Sequence, residues 1–184
     1  MLRSGSKRLV IDASIAAAAG GLGEKPVCKP FRDLLQAILS ICHHMVLTPE
    51  ISDEWRRHQG PFATRWRRYM YGMKKVCASG AAPDPTFRER VRRAAQSERD
   101  AEAMAKDVRL IEAALATDRV VLSRDVEARQ LLAAAAEEVP ELREVGWVVP
   151  SEGNIDEVIR WMKAGAKPRR EWLLGHNTGH SPNL

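Results

Sequence analysis

Four short segments of the chain are apolar almost without interruption, and this feature constrains the fold more than any other. A strand with one face in water carries a polar residue at every second position, which these segments do not. Unbroken apolar strands are expected where a parallel sheet is covered on both faces. The predicted strands are residues 8–12, 44–48, 120–123 and 145–149.

Helical patterns occupy the stretches between these strands. One amphipathic stripe, at i, i+3, i+4, i+7 and i+8, consists of Phe31, Leu34, Leu35, Ile38 and Leu39. Thr48 and Pro49 form a typical helix start, with threonine as the N-cap and proline in the first turn. Strands that alternate with helices predict an α/β fold with a mainly parallel sheet. Further helices are predicted at 13–19, 64–76, 98–117, 126–137 and in a last short segment that ends at Lys163.

The length and the apolar runs predict the organisation of the chain. A chain of 184 residues fits one domain with an appendage, here residues 1–150 followed by a helix and a loose tail at 151–184. The apolar runs are shorter than the roughly 18 residues of a membrane-spanning helix. Asp12 interrupts the apolar stretch that a secretory signal would need.

The three cysteines bear on the compartment. Cys28, Cys42 and Cys77 are odd in number and lack metal-ligand spacing, which predicts free thiols. Free thiols are typical of a reducing compartment, so we expect a cytoplasmic protein without membrane contact.

Positive charge is concentrated in one part of the chain. The net charge is +5, but eleven Lys or Arg lie between Trp55 and Arg93, where only Asp84 and Glu89 oppose them. That stretch therefore carries +9 and the remainder −4. Such a basic block favours a polyanionic partner, although a solvated helical face gives the same pattern.

Acidic residues follow the predicted strands. Asp12 ends the first strand, Glu54 lies in the helix after the second, and Asp125 follows the third. The carboxyl ends of parallel strands meet at one edge of a sheet, where ligands bind. Asp107 borders the apolar stripe of the helix that leads into the third strand, where an unneutralised acid is costly.

These four acids would repel one another unless a cation joins them. Carboxylate oxygens are the ligands that Mg²⁺ and Mn²⁺ prefer. Ser14 and Ser123 lie two residues from Asp12 and Asp125, so their hydroxyls could orient a carboxylate or a metal-bound water. Alternatives remain for two of these acids: Asp12 could be a turn residue, and Glu54 could be a solvated helix residue with Glu50 or Asp53 in its place. Glu127 could be a fifth ligand or could stabilise the start of its helix.

Four stretches taken together resemble the PIN-domain family of metal-dependent nucleases. They read LVIDAS at 9–14, LTPEISDEW at 47–55, KDVRLIEAAL at 106–115 and VLSRD at 121–125. The order and placement of the acids carry the resemblance, which spans about residues 8–149. Residues 59–99 are longer and more basic than the family pattern requires, and no family motif follows Pro150.

The resemblance implies a three-layer α/β/α sandwich with a basic helical insertion at about 55–99. It implies hydrolysis of RNA phosphodiester bonds, leaving a 5′-phosphate and a 3′-hydroxyl, at a Mg²⁺ or Mn²⁺ site. The family includes toxins of toxin–antitoxin pairs, so a protein antitoxin and a homodimer are implied partners. The site residues carried over by position are Asp12, Glu54, Asp107 and Asp125 as metal ligands, with Ser14 and Ser123 as the hydroxyls beside them.

The basic block is predicted to hold the phosphates that flank the cleaved bond. The residues expected to do so are Arg65, Arg67, Arg68, Lys74 and Lys75. The aromatic residues Trp66, Tyr69 and Tyr71 lie among these arginines and could stack on unpaired bases. The spacing of Trp66 and Tyr69 fits the core face of a helix equally well. Two other interpretations remain open: a PIN-like module that binds without cutting, and a basic block that binds an acidic protein.

Overall fold

A five-stranded sheet, with every strand parallel to its neighbours, forms the centre of the protein. The computed structural model describes residues 5–20, 28–79 and 82–176. Leu9 lies opposite Met45 on one side and Val120 on the other, which sets the register of the three central strands. The strand order is β3-β2-β1-β4-β5, with β1 Arg8–Ile11, β2 His44–Leu47, β3 Val76–Ala78, β4 Val120–Leu122 and β5 Gly146–Val148.

Helices flank the sheet, consistent with a three-layer α/β/α arrangement. From β1 the chain steps outward through β2 to β3, and then returns past β1 to β4 and β5. Because parallel crossovers are right-handed, the two directions place their helices on opposite faces. The helices are α1 Ala13–Gly20, α2 Lys29–Ser40, α3 Pro49–His58, α4 Pro61–Gly72, α5 Pro85–Arg93, α6 Glu98–Leu115, α7 Val126–Ala135 and α8 Ile155–Lys163.

Burial confirms the α/β prediction. The three successive residues Leu9, Val10 and Ile11 are inaccessible to solvent, as expected of a strand covered on both faces. The predicted stripe of α2 is buried except for Leu39, which is partly buried. The Thr48 side chain accepts a hydrogen bond from the backbone N–H of Ile51 at 3.2 Å, which confirms the predicted N-cap.

The prediction of a helix through Val76 is wrong, because α4 ends at Gly72 and a fifth strand follows. Lys74 turns the chain with a positive φ of 55°, and its successor Lys75 accepts a hydrogen bond from the backbone of Met45 at 2.8 Å. The strand β3 has only three residues and is half-buried or exposed, so its sequence carries no clear apolar run.

The prediction of a loose chain from Pro168 is wrong for residues 168–176. Leu174 is fully buried, Leu173 forms an antiparallel bridge with Gly146 of β5, and Trp172 packs edge-on against Trp161 at 4.7 Å. These apolar anchors override a composition that favours disorder. Residues 177–184 lie outside the described residues.

Two further findings concern the cysteines and the length of the helices. The cysteines Cys28, Cys42 and Cys77 are unpaired and half-buried, which confirms the prediction of free thiols. In the part of the chain that the structure describes, no helix has the length and apolarity needed to cross a membrane.

Candidate acidic site

The carboxyl ends of β1 and β4 form the point at which the chain changes direction across the sheet. These strands are neighbours, but β1 is followed by helices on the way to β2 and β4 by a helix on the way to β5. The two connections therefore diverge to opposite faces and leave a crevice, which is where open α/β sheets bind ligands. Asp12 directly follows β1, and Ser123 directly follows β4.

Asp12 is held in place by residues from both strand ends. Its side chain is buried, with 7% of the residue exposed. Its Oδ2 atom accepts hydrogen bonds from the backbone N–H of Ser14 at 3.2 Å and from the hydroxyl of Ser123 at 3.0 Å. Both bonds converge on one oxygen, so the carboxyl group has a fixed orientation.

Ser123 connects Asp12 to Asp125. The buried Ser123 hydroxyl accepts a hydrogen bond from the backbone N–H of Asp125 at 3.1 Å while it donates to Asp12. Asp125 Oδ1 accepts from the backbone N–H of Ala128 at 2.7 Å and thereby caps α7. The Ser14 hydroxyl accepts from the backbone of Arg124 at 3.1 Å, which ties the two connections together.

Asp107 reaches the same edge from α6. Leu115, the end of the helix, lies eight positions further on, about 12 Å at 1.5 Å per residue, which is close to the length of a three- or four-residue strand. The helix packs on β1 and β4. Burial, followed by the negative charges of Asp12 and Asp125, raises the pKa of Asp107 to about 7; Glu54 adds to this rise and Arg109 opposes it.

Glu54 joins the cluster through α3. The Trp55 indole N–H donates a hydrogen bond to the carbonyl of Ile11 at 2.7 Å, which holds this helix against the end of β1. The Glu54 carboxylate forms an ion pair with Arg109 of α6, and the side chains are 21% and 18% exposed, respectively. Sequence reasoning missed Arg109, since an arginine in a long helix is normally a solvated charge.

Arg109 also carries an unsatisfied donor. Its Nη2 atom binds Glu54, but its Nε atom is buried and has no hydrogen-bond partner among the described residues. An unpaired buried donor costs about 1–3 kcal/mol.

The alternative acids are paired elsewhere. Glu50 binds Arg88 at 2.9 Å, Asp53 binds Arg56, and Glu127 lies 3.8 Å from Arg99. Of the three candidate acids in α3, Glu54 is the one that acts on Asp107. The geometry therefore favours Glu54 as the member of the cluster.

The donor set fits a hard divalent cation through a few direct ligands. Within residues 5–20, 28–79 and 82–176, no three His, Cys, Asp or Glu side chains already form a metal-ligand group. Mg²⁺ is commonly held by only one or two carboxylates and retains several waters. Four acids around a crevice, one of which has its pKa raised by burial and by the charges of the others, provide such oxygen ligands.

Much of the basic block is neutralised inside the fold. All four arginines of α5 form ion pairs: Arg88 with Glu112 and Glu50, Arg90 with Glu141, Arg92 with Glu98, and Arg93 with Glu89. The net charge counted from the sequence of this stretch is therefore larger than the positive charge that remains unpaired and accessible to a ligand.

The predicted phosphate-binding residues on and after α4 divide into two groups. Arg65, Arg68 and Lys74 are exposed. The Lys75 ammonium instead donates hydrogen bonds to the carbonyls of Leu39, at 2.7 Å, and Ile41, so it serves the fold. Arg67 is half-buried, and burial lowers its pKa.

The aromatic residues of α4 divide in the same way. Trp66 is buried, stacks on Trp55 with ring centroids 5.7 Å apart, and donates to the carbonyl of Leu35. Tyr69 and Tyr71 are 59% and 53% exposed. Trp66 is therefore a core residue, as the helix spacing allowed, whereas the tyrosines face solvent.

Two cavities of the described residues are lined by side chains other than the four acids. A cavity of about 300 Å³ is lined in part by Arg109, Glu50 and Glu112. Another, of about 330 Å³, lies at the opposite edge of the sheet beside Asp118 and Trp161. The four acids lie around the ends of β1 and β4, and this rim of the sheet is the candidate site.

The fold and the site define an α/β protein with an acidic crevice at the switch point of a parallel sheet. No protein-family model, curated protein or solved structure matches the chain. Functional assignment therefore depends on the geometry and the chemistry of this site.

Proposed function

We propose that the protein is a metal-dependent ribonuclease of the PIN-domain type, which hydrolyses phosphodiester bonds in RNA. The observation that carries this proposal is the convergence of Asp12, Glu54, Asp107 and Asp125 from four separate elements. Burial, and after it the negative charges of the neighbouring acids, raises the pKa of Asp107 to about 7. Charges that destabilise a fold yet lie together in a crevice are typical of functional sites.

The four carboxylates would hold Mg²⁺ or Mn²⁺. When bound, such an ion lowers the pKa of a water ligand and stabilises negative charge on the attacked phosphate. Ser123 keeps the Asp12 carboxyl turned into the crevice through its hydrogen bond to Oδ2. Because its pKa is raised to about 7, Asp107 is only partly ionised near neutral pH, so binding of a cation to its carboxylate should release protons.

The exposed cations of α4 would bind the RNA chain beyond the site. Arg65 and Arg68 supply charge for phosphates, and Tyr69 presents an exposed ring on which an unpaired base can stack. Residues 55–79 contain no Asp or Glu, so this surface lacks the acid partners that neutralise α5.

The test is cleavage of mixed single-stranded and structured RNA in the presence of Mn²⁺, Mg²⁺ or EDTA. Wild type is compared with Asp107→Asn and with Glu127→Gln, a matched control that removes an acid pairing with Arg99 rather than joining the cluster. We expect cleavage that requires metal, is lost in Asp107→Asn and persists in Glu127→Gln. Absence of cleavage by folded wild type with any metal would refute the nuclease proposal for these substrates.

A second candidate is a PIN-like module that binds nucleic acid or protein without cutting. The ion pair between Glu54 and Arg109 favours it, because the cluster already contains an internal counter-charge. Calorimetric titration with Mn²⁺ separates the two: a nuclease binds the ion with proton release, whereas a pure binding module does not bind it.

The family resemblance also motivates a protein antitoxin and a homodimer as proposed partners. Both are tested on the purified chain, by its mass in solution and by the inhibition of cleavage when an acidic candidate protein is added. A monomer that no such protein inhibits would remove this part of the proposal.

A further inference from the structure

Arg109 lies where the acidic crevice meets a neighbouring cavity. Its guanidinium pairs with Glu54, and its side chain also lines the cavity of about 300 Å³ beside Glu50 and Glu112. Both of these glutamates are bound by Arg88, so each already has a cationic partner, although one negative charge remains among the three side chains. Arg109 is therefore a cation placed at the junction of the two spaces, with Glu54 as its ion-pair partner.

The ion pair with Glu54 uses only part of the hydrogen-bond donors of the Arg109 guanidinium. Nη2 donates to Glu54, while Nε is buried and has no acceptor among the described residues. A guanidinium carries its N–H donors in a planar fork, which matches two oxygens of one phosphate group. If Glu54 turns toward a cation in the crevice, both Nε and Nη2 become available to such a ligand.

We propose that Arg109 binds a phosphate group of the RNA chain after Glu54 has released it. This inference rests on the proposed function and extends it, because it adds a substrate-binding residue that is switched by the state of Glu54. Glu54 then pairs with Arg109 while no metal is bound, and binds the metal once it is present. Metal binding and RNA binding become coupled through one side chain.

The ligand class follows from charge and shape. The guanidinium offers donors only, so its ligand must supply acceptor oxygens. The carboxylates of the crevice repel a free anion, but they tolerate a phosphate that arrives with a metal and is anchored elsewhere along the chain. A phosphodiester of a bound strand meets both conditions.

The test is RNA binding without cleavage, measured in EDTA by fluorescence anisotropy with a labelled 12-nucleotide single strand. Glu54→Gln removes the charge that holds Arg109 and so imitates the released state. We expect this variant to bind the strand about fivefold more tightly than wild type, a coupling of ordinary allosteric size. The dependence of log K on log salt should steepen by about 0.7, the value for one added phosphate contact on a single strand.

The decisive comparison is the same substitution without the arginine. In Glu54→Gln with Arg109→Ala the gain should disappear, apart from the small effect of removing one negative charge. Arg124 supplies the matched control: it is exposed on the same rim, and its guanidinium stacks on Phe31 at 4.8 Å. With Arg124→Ala in place of Arg109→Ala, the gain from Glu54→Gln should remain.

An equal gain in both double variants would overturn the proposal, because the effect would then be general electrostatics. Failure of every variant to bind RNA would overturn it as well, while Mn²⁺-dependent cleavage separately decides whether the protein is a nuclease. If Arg109→Ala loses the native circular dichroism spectrum, Arg109→Lys carries the test. Lysine keeps the charge but cannot make the forked contact, so the gain should fall by at least half.

Discussion

Asp118 and Asp107 lie at opposite ends of the parallel strands, and their surroundings differ. Asp118 lies where the strands begin and accepts hydrogen bonds from the backbone N–H of Arg8, at 2.7 Å, and from its guanidinium, at 3.0 Å. Burial alone would raise the pKa of Asp118, but these contacts hold the pKa below its ordinary range. At the edge where the strands end, the pKa of Asp107 is raised to about 7 among other acids.

Other groups follow the same division. At the edge where the strands begin, the buried imidazole of His43 accepts from the backbone N–H of Lys7 at 3.0 Å and meets the Met162 carbonyl at 2.8 Å. Lys75 is bonded to two carbonyls nearby. At the other edge the acids are left with one arginine, whose Nε is unpaired among the described residues. Where the strands begin, charged groups are paired within the protein and stabilise it. Where the strands end, charged groups remain that a ligand can pair with.

The largest effect is expected from Asp12→Asn. The amide keeps the shape and the acceptor oxygen that Ser14 and Ser123 bind, but it loses the charge. Cleavage should fall about a thousandfold with an unchanged fold. Cleavage rate and circular dichroism measure this directly, and substantial remaining activity would exclude Asp12 from the site.

Asp118→Ala tests the stabilised edge. Loss of the carboxylate leaves the Arg8 backbone donor and guanidinium without their partner, so the free energy of unfolding should drop by about 2 kcal/mol. Urea unfolding measures this change. Specific activity of the remaining folded protein should stay the same, and a matching loss of activity would contradict the division between the edges.

Asp107→Asn should have the opposite effect on stability. Since the folded pKa is about 7 and the unfolded one about 3.9, the folded state binds the extra proton between these values. The stability that this group contributes is present below about pH 4 and is lost as pH rises through 7. The variant should therefore gain about 1–2 kcal/mol at pH 8, after allowance for partial exposure, and little at pH 4. Urea unfolding at both pH values checks this, and an equal gain at both would contradict it.

The smallest effect is expected from the exposed cations. Arg65→Ala with Arg68→Ala should weaken RNA binding severalfold and flatten its salt dependence by about 1.4, the sum for two phosphate contacts. Arg92→Ala with Arg93→Ala is the matched control, because these arginines are paired with Glu98 and Glu89. Equal losses of affinity in both double variants, measured by anisotropy in EDTA, would show that pairing does not decide which cations meet RNA.

Periodicity predicts the central part of this fold well. The segments that form β1, β2, β4 and β5 are recognised by their continuous apolar residues. The helices between them predict that these strands are parallel. The third strand is missed, because Val76–Ala78 is half-buried or exposed and carries a weak apolar signal, whereas the equally short β4 and β5 are fully buried. Its strand character comes from pairing with β2, which a local pattern does not contain.

The candidate site is predictable in its acids but not in its cations. Strand ends and helix faces bring Asp12 and Asp107 together, so their placement follows from topology. Whether a cation faces solvent depends on partners far away in the chain. Lys75 is bonded to carbonyls more than thirty residues away, and Arg109 pairs with an acid 55 positions earlier.

The two outer strands of the sheet differ in what lies beyond them. The outer side of β5 is covered by the chain itself, through the bridge between Gly146 and Leu173, whereas β3 is the last strand on its side among the described residues. A sheet with one outer strand covered by its own chain can gain a further strand only beside the other outer strand. Two chains that joined through β3 would leave neither sheet a further outer strand to pair with, so growth would stop at a pair instead of continuing into a fibre.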